Sequence, residues 1–382
     1  MKKLNGFTNC QILTEEGLKK TSLRIEDGKI ASIGDFEEGL TLNENYIVLP
    51  GFIDQHVHGA AGSDAMDGTI EDLQKIANAL ATEGTVGFLA TTMTQSVENI
   101  TKALVATKEY IEAGTIEGAE VLGVHLEGPF ISLKHIGAQP LEYVAKPSVE
   151  VFKKYQEASG NNIKLVSLAV EEEGALELVS YLASNNVVAS LGHTDATASS
   201  VEAAIKAGAK NVTHTFNAMK PLHHREIGTV GSALLYDELN CELICDGIHV
   251  SKPAINLIRK CKPLDKLTLV TDAMRAKHMP DGLWELGGQP VVVKSGEARL
   301  TDGTLAGSVL SMNKAVKNIM AFTGASLAEA VNYASLNPAI NLGIDDKLGS
   351  IKVGKNASFA IVDENFDVVL TVKNGYVIYE KE

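Results

Sequence analysis

The sequence lacks several features that would settle its class at once. No run of about 18 apolar residues occurs, so no membrane-spanning helix is expected. Four cysteines (Cys10, Cys241, Cys245 and Cys261) show no Cys-x-x-Cys spacing. They read as reduced thiols, and the chain as cytoplasmic. No long apolar run follows the lysines at positions 2 and 3, so a signal peptide is not expected. Positive charge is in deficit: 34 Lys and Arg against 48 Asp and Glu, a formal net charge of -14. That excludes a nucleic-acid surface or an anionic membrane as a general partner, while leaving room for a local basic pocket. No short-period repeat and no low-complexity linker interrupts the chain.

What is present suits a soluble globular protein. The 382 residues are 45% hydrophobic and 21% charged, enough for a large core. The first 50 residues read as short strands. Thr21 to Glu26, then Asp27-Gly28, then Lys29 to Ile33 predicts a hairpin about an Asp-Gly turn. The segment from 358 repeats the texture, with a second hairpin about Asn374-Gly375. Neither end holds enough strands to bury a sheet face alone. Pairing them into one small β-domain solves that problem. The expected division is residues 1–50 and 346–382 in a small domain, with 51–345 between them.

In the middle segment strands and helices alternate. Apolar runs near 50, 86, 121, 163, 187, 211, 243 and 267 give eight strands, and helix-period segments at 70–82, 97–113, 175–184, 201–207 and 253–260 fill most gaps. Eight β-α repeats predict an α/β fold, a closed (β/α)8 TIM-type barrel. A doubly wound open sheet is the alternative, but no Gly-rich dinucleotide fingerprint follows the first strand. A β-rich excursion, from Trp284 to Leu300, precedes the last helices. It extends the small domain or flaps over the barrel mouth.

Chemistry collects at the predicted strand ends. His56 and His58 lie two apart, which on a strand places both on one face. Strand 3 ends in Leu126-Glu127, strand 5 in Gly192-His193, strand 6 in Thr213-His214 and strand 8 in Thr271-Asp272. One such residue can simply cap a loop or helix. Four histidines, a Glu and an Asp at the same rim are instead the nitrogen and oxygen donors that zinc and iron take.

These motifs resemble the amidohydrolase superfamily. The residues that carry the resemblance are His125-Leu-Glu-Gly-Pro-Phe130, Gly192-His-Thr-Asp195, His214-Thr-Phe-Asn-Ala-Met219, Asp246-Gly-Ile-His249 and Val270-Thr-Asp-Ala273. The tail Gly349 to Ala357 is similar to the segment that re-enters the small domain in that superfamily. The match runs through nearly the whole chain, in order, and is closest to the branch acting on phosphorylated N-acetyl amino sugars. It implies a barrel plus a small β-sandwich domain, in a homodimer. It also implies hydrolysis of the N-acetyl group of N-acetyl-D-glucosamine 6-phosphate, giving the free amine and acetate. Another amidohydrolase, acting on a different N-acyl or cyclic amide, is the alternative. It gives no reason for the cluster Pro221-Leu-His-His-Arg225. A non-catalytic scaffold would be expected to have lost ligands that this chain retains.

The resemblance also assigns roles. Glu127, His193 and His214 match metal ligands, and His56 and His58 match a pair that lets some members hold a second metal with the Glu bridging. Lys164 lies near the start of strand 4, so it is not the bridge. The cofactor is one or two divalent ions per subunit, zinc or iron. A bound ion brings the pKa of water toward about 7, and Asp272 matches the general base that passes the proton to the leaving amine. Ala138, Gln139, Asn217, Ala218, His249, Leu305, Ala306 and Gly307 match substrate contacts. Arg225 matches an arginine that reads the phosphate in the neighbouring subunit. One position departs: where some members carry a substrate-contacting histidine, twelve residues after the Glu, this chain has Gln139. A second metal or His135 is left to polarise the acetyl oxygen.

Overall fold

The computed structural model describes residues 2–381. Eight parallel strands form one sheet: β1 (Phe52–Val57), β2 (Thr85–Thr91), β3 (Glu120–Glu127), β4 (Ile163–Leu168), β5 (Val188–Leu191), β6 (Asn211–Val212), β7 (Asn240–Ile244) and β8 (Leu267–Val270). Each is followed by a helix, as an all-parallel sheet requires. The first, Ile70–Ala81, shows why. Leu73, Ile76, Ala77 and Leu80 recur at helical spacing and are buried on one stripe, and the Thr69 side chain caps the start.

The sequence gives five of these helices directly. Val149–Ala158, Gly228–Leu235 and Met312–Thr323 complete the set of eight. Gly228–Leu235 is hard to read because it holds two glycines and is buried nearly all round, which leaves no polar face to set a period.

The barrel closes at its mouth. The His56 carbonyl accepts from the Asp272 N–H at 2.8 Å, and the His58 N–H donates to the Ala273 carbonyl at 2.9 Å. Below them the buried carboxylate of Asp54 accepts from the Thr271 hydroxyl at 2.5 Å. The seam between first and last strand therefore runs through residues singled out for chemistry.

A separate seven-stranded sheet draws on both flanking segments. Its order is Tyr376–Glu380, Val368–Lys373, Phe359–Val362, Ile47–Pro50, Gly6–Thr14, Gly17–Glu26 and Lys29–Ile33. Ile47–Pro50 is the joint: it pairs antiparallel with Phe359–Val362 and parallel with Gly6–Thr14. Both expected hairpins form, with Glu26 opposite Lys29 and Lys373 opposite Tyr376. Asp27 and Asn374 take φ of 47° and 51°, the left-handed turn conformation their short side chains tolerate.

The excursion after β8 is a three-stranded antiparallel sheet, Gly282–Leu286, Gln289–Lys294 and Glu297–Leu300. It flaps over the barrel mouth. Leu286, Val291 and Ala306 pack with Met93 and Met274 from barrel loops, and the Gln289 amide donates to the Ala138 carbonyl at 2.6 Å. No helix among the described residues is long and apolar enough to cross a membrane. All four cysteines are unpaired thiols.

Candidate active site

The C-terminal ends of the strands bring the predicted donors together. Glu127, on the last residue of β3, is the hub. Its Oε1 lies 3.1 Å from His214 Nε2, 3.3 Å from His193 Nε2 and 3.5 Å from His56 Nε2. Its Oε2 lies 3.3 Å from His58 Nε2. Asp272 Oδ1 sits on the far side, 3.2 Å from His58 Nε2 and 3.3 Å from His56 Nε2. Two triads result, Glu127/His193/His214 and His56/His58/Asp272, each with its donor atoms mutually within 4.8 Å. His193, His214 and Asp272 have positive φ, of 49°, 29° and 48°. A left-handed backbone costs such residues energy and is kept where it aims a side chain.

The electrostatics suit a cation. The His193 Nδ1–H donates to the His135 carbonyl at 2.9 Å, which leaves Nε2 bare. That bare nitrogen faces Glu127 Oε1 and, at 3.1 Å, the Nε2 of His214. Electron-rich atoms converge so closely only around a proton or a metal ion. Protons would serve there if no ion were bound. Burial disfavours charge at every group, yet the carboxylates Asp272 and Glu127 raise His56 to about 9. Burial likewise pushes the Glu127 and Asp272 carboxyls up, but the neighbouring imidazoles, His56 foremost, pull both well below the usual range. The donor set of imidazoles and carboxylates therefore fits a divalent metal ion.

Above the triads lies a cavity of about 190 Å³. Of the residues matched to substrate contacts, Ala138, Gln139, Asn217, Ala218, His249, Leu305 and Gly307 line it. Ala306 does not; it is buried in the flap's apolar cluster. Arg225 does not either: it is exposed, its guanidinium 2.6 Å from His224. The described lining holds no lysine or arginine at all.

Gln139 has a definite task. Its Oε1 accepts from the Thr94 backbone N–H at 2.8 Å, and a backbone N–H can only donate. Its amide nitrogen must then face Glu127, and it donates to Oε2 at 2.8 Å. His135 enters through its carbonyl, while its ring is held 3.2 Å from Asp195.

Sequence reasoning assigned no role to two carboxylates that orient other side chains: Asp246, seen only as part of a motif, and Glu242. Asp246 accepts from His249 Nδ1 at 2.6 Å and from its backbone N–H, which turns the other ring nitrogen outward. Glu242, on β7, lies 3.1 Å from His56 Nδ1. A charged residue inside the strand Asn240-Cys-Glu-Leu-Ile244, buried at every position, was the available signal.

Fold, mouth-end donors and cavity together define a metal-dependent hydrolase of the amidohydrolase type. The chain belongs to the amidohydrolase family, whose model matches residues 47–378. It is 44% identical to an N-acetylglucosamine-6-phosphate deacetylase of Bacillus subtilis (strain 168), over 96% of this chain and 95% of that one. It is 41% identical to an N-acetylgalactosamine-6-phosphate deacetylase of Escherichia coli O157:H7, over 94% and 95%. A solved structure of the N-acetyl-D-glucosamine-6-phosphate deacetylase of Mycobacterium smegmatis, a mutant in complex with N-acetyl-D-glucosamine-6-phosphate, superposes with a TM-score of 0.93 at 28% identity. It covers 99% of this chain and 100% of that one.

Proposed function

We propose that this chain removes the acetyl group from N-acetyl-D-glucosamine 6-phosphate by hydrolysis, giving D-glucosamine 6-phosphate and acetate. The observation that carries the reading is the pair of triads meeting at Glu127 under a sugar-sized opening. Glu127, His193 and His214 would hold one divalent ion, zinc or iron; His56, His58 and Asp272, with Glu127 between, would hold a second. A bound ion makes water acidic and polarises a carbonyl.

The chain's own groups do the rest. Asp272 is ionised and sits between both strand-1 histidines, so it accepts the proton of the attacking water. It then returns that proton to the amine nitrogen, which leaves poorly unless protonated. Gln139 keeps Glu127 turned toward the histidines. Asn217, the Ala218 backbone and His249, braced by Asp246, contact the sugar.

The phosphate needs a cation that the cavity lacks. Arg225 on its exposed loop supplies it to the neighbouring subunit of a homodimer, its planar fork matching two phosphate oxygens. A cytoplasmic location belongs to the same reading, since the substrate is a phosphorylated metabolite.

Acetate release from N-acetyl-D-glucosamine 6-phosphate, from its galacto epimer and from the unphosphorylated sugar tests the reading. N-acetyl-D-glucosamine 6-phosphate should be the best substrate by kcat/KM. Faster turnover of the galacto epimer would move the assignment to the other relative's substrate. Mixed dimers of Arg225→Ala and Asp272→Asn chains test the crossing arginine. If Arg225 crosses, one of the two sites is intact and activity returns; if it stays in its own chain, mixing restores nothing.

A further inference from the structure

Below the ligands the barrel interior carries a carboxylate that the reaction does not use. Glu242 is fully buried. Its Oε1 accepts from the Gln55 amide at 2.7 Å and the Asn211 amide at 3.1 Å. Its Oε2 accepts from the His214 backbone N–H at 3.2 Å and lies 3.1 Å from His56 Nδ1.

The two amides are held in their orientation. Gln55 Oε1 accepts from Asn341 at 3.1 Å, and Asn211 Oδ1 accepts from Asn240 at 2.7 Å. Three N–H groups thus converge on Glu242, two on Oε1 and one on Oε2. The proton on the fourth contact belongs to His56 Nδ1. With an ion in place of the second ring proton, His56 Nε2 is the nitrogen left to ligate it. It has no hydrogen-bond partner, and it points at Asp272 Oδ1 and Glu127 Oε1.

No other ligand is treated this way. His193 Nδ1 meets a neutral carbonyl, and the Nδ1 atoms of His58 and His214 have no hydrogen-bond partner. A carboxylate behind a ligating imidazole fixes its tautomer and raises its basicity.

We infer that Glu242 is the positioning residue of the His56/His58/Asp272 triad: by fixing the His56 tautomer it decides whether the second ion binds. The inference rests on the two-ion reading above. It is tested with zinc on the whole protein, by metal analysis and chelator competition. Wild type should bind two ions per chain. Glu242→Gln removes the charge behind His56 Nδ1 and sets an amide N–H among the donors that meet there, so a carboxylate no longer holds the ring's tautomer. The second ion should weaken by about 10–100-fold while the first keeps its affinity. Turnover should fall with KM little changed. Should Glu242→Gln not fold, Glu242→Asp, which draws the carboxylate back by one methylene, is read in the same way.

Two ions held as tightly as in wild type would overturn the inference alone. So would equal weakening of both ions, the mark of a merely structural role. Wild type binding a single ion, or a His56→Ala/His58→Ala chain that loses none, would overturn the two-ion reading and this inference with it.

Discussion

The chain buries two interiors of opposite character. The core of the small sheet is apolar, with Phe7 and Phe359 edge to face, their ring centroids 5.5 Å apart, among Ile12, Val48 and Ile361. The barrel lumen is polar. From His125 a chain of hydrogen bonds runs through Ser167 (2.7 Å), Thr213 (2.5 Å) and Ser190 (2.6 Å) to Asn211 (2.8 Å). Asn211 in turn donates to Glu242. Hydrocarbon contacts are non-directional, so the sheet core can lose a group for the cost of its area and cavity. In the lumen each donor answers a particular acceptor, and a loss orphans its partner. The sheet core packs without direction; the lumen aims side chains.

The sharpest way to break this contrast is a deletion in the sheet. Phe359→Ala should destabilise by about 3–5 kcal/mol, measured by denaturant unfolding, with turnover per folded molecule unchanged. A large drop in kcat would mean that the sheet also shapes the site. At the mouth the reverse is expected. Asp272→Asn should lower kcat at least about 10²-fold while steady-state kinetics, metal analysis and unfolding show the Glu127/His193/His214 ion retained and the midpoint little moved. Near-normal turnover in a metal-loaded Asn chain would remove Asp272 from the proton transfer.

Gln139 spans the two roles. Gln139→Leu takes one donor from Glu127 and leaves the Thr94 N–H unsatisfied, a cost of about 1–3 kcal/mol. Unfolding with and without metal should show a larger loss in the loaded protein, because Glu127 is then less well held.

The smallest effect concerns a buried charge outside both interiors. Burial raises Asp64 to about 6, against an attraction from His58 and Arg275, and its Oδ2 has no hydrogen-bond partner. A carboxyl whose folded pKa is raised favours folding below its unfolded value near 3.8. That advantage is lost as pH climbs through about 6. Asp64→Asn keeps the cap on the Met66 N–H and removes the charge. It should gain on the order of 1 kcal/mol at pH 8 and nothing at pH 4. Thermal melts at the two pH values check this, and an equal effect at both would show that charge is not the cause.

The two interiors also differ in how openly the sequence declares them. Alternating residues around Asp27-Gly28 and Asn374-Gly375 announce the sheet, because a half-buried strand has a period of two. The barrel strands announce themselves as apolar runs, and the ligands follow from their place at strand ends. The lumen residues are harder to see. Gln55, Ser167, Asn211 and Glu242 look like mere interruptions of apolar runs, since nothing local says that an inward side chain will meet a partner from six strands away. Arg225 is a different case. Its loop is exposed, and the role proposed for it calls on a surface that one subunit does not contain.

The joint at Ile47–Pro50 bears on how such a chain is made. Val48 pairs with Ile361, about 310 residues further along. At about 5–20 residues per second, a ribosome takes on the order of 15–60 s to deliver that partner. During synthesis the strand leading into the barrel waits with an open, apolar edge, the kind that invites pairing with another nascent chain. The small sheet is then the last part of the molecule to close. Truncations within Phe359–Val362 should appear as aggregation during expression, before any purified protein exists to be measured.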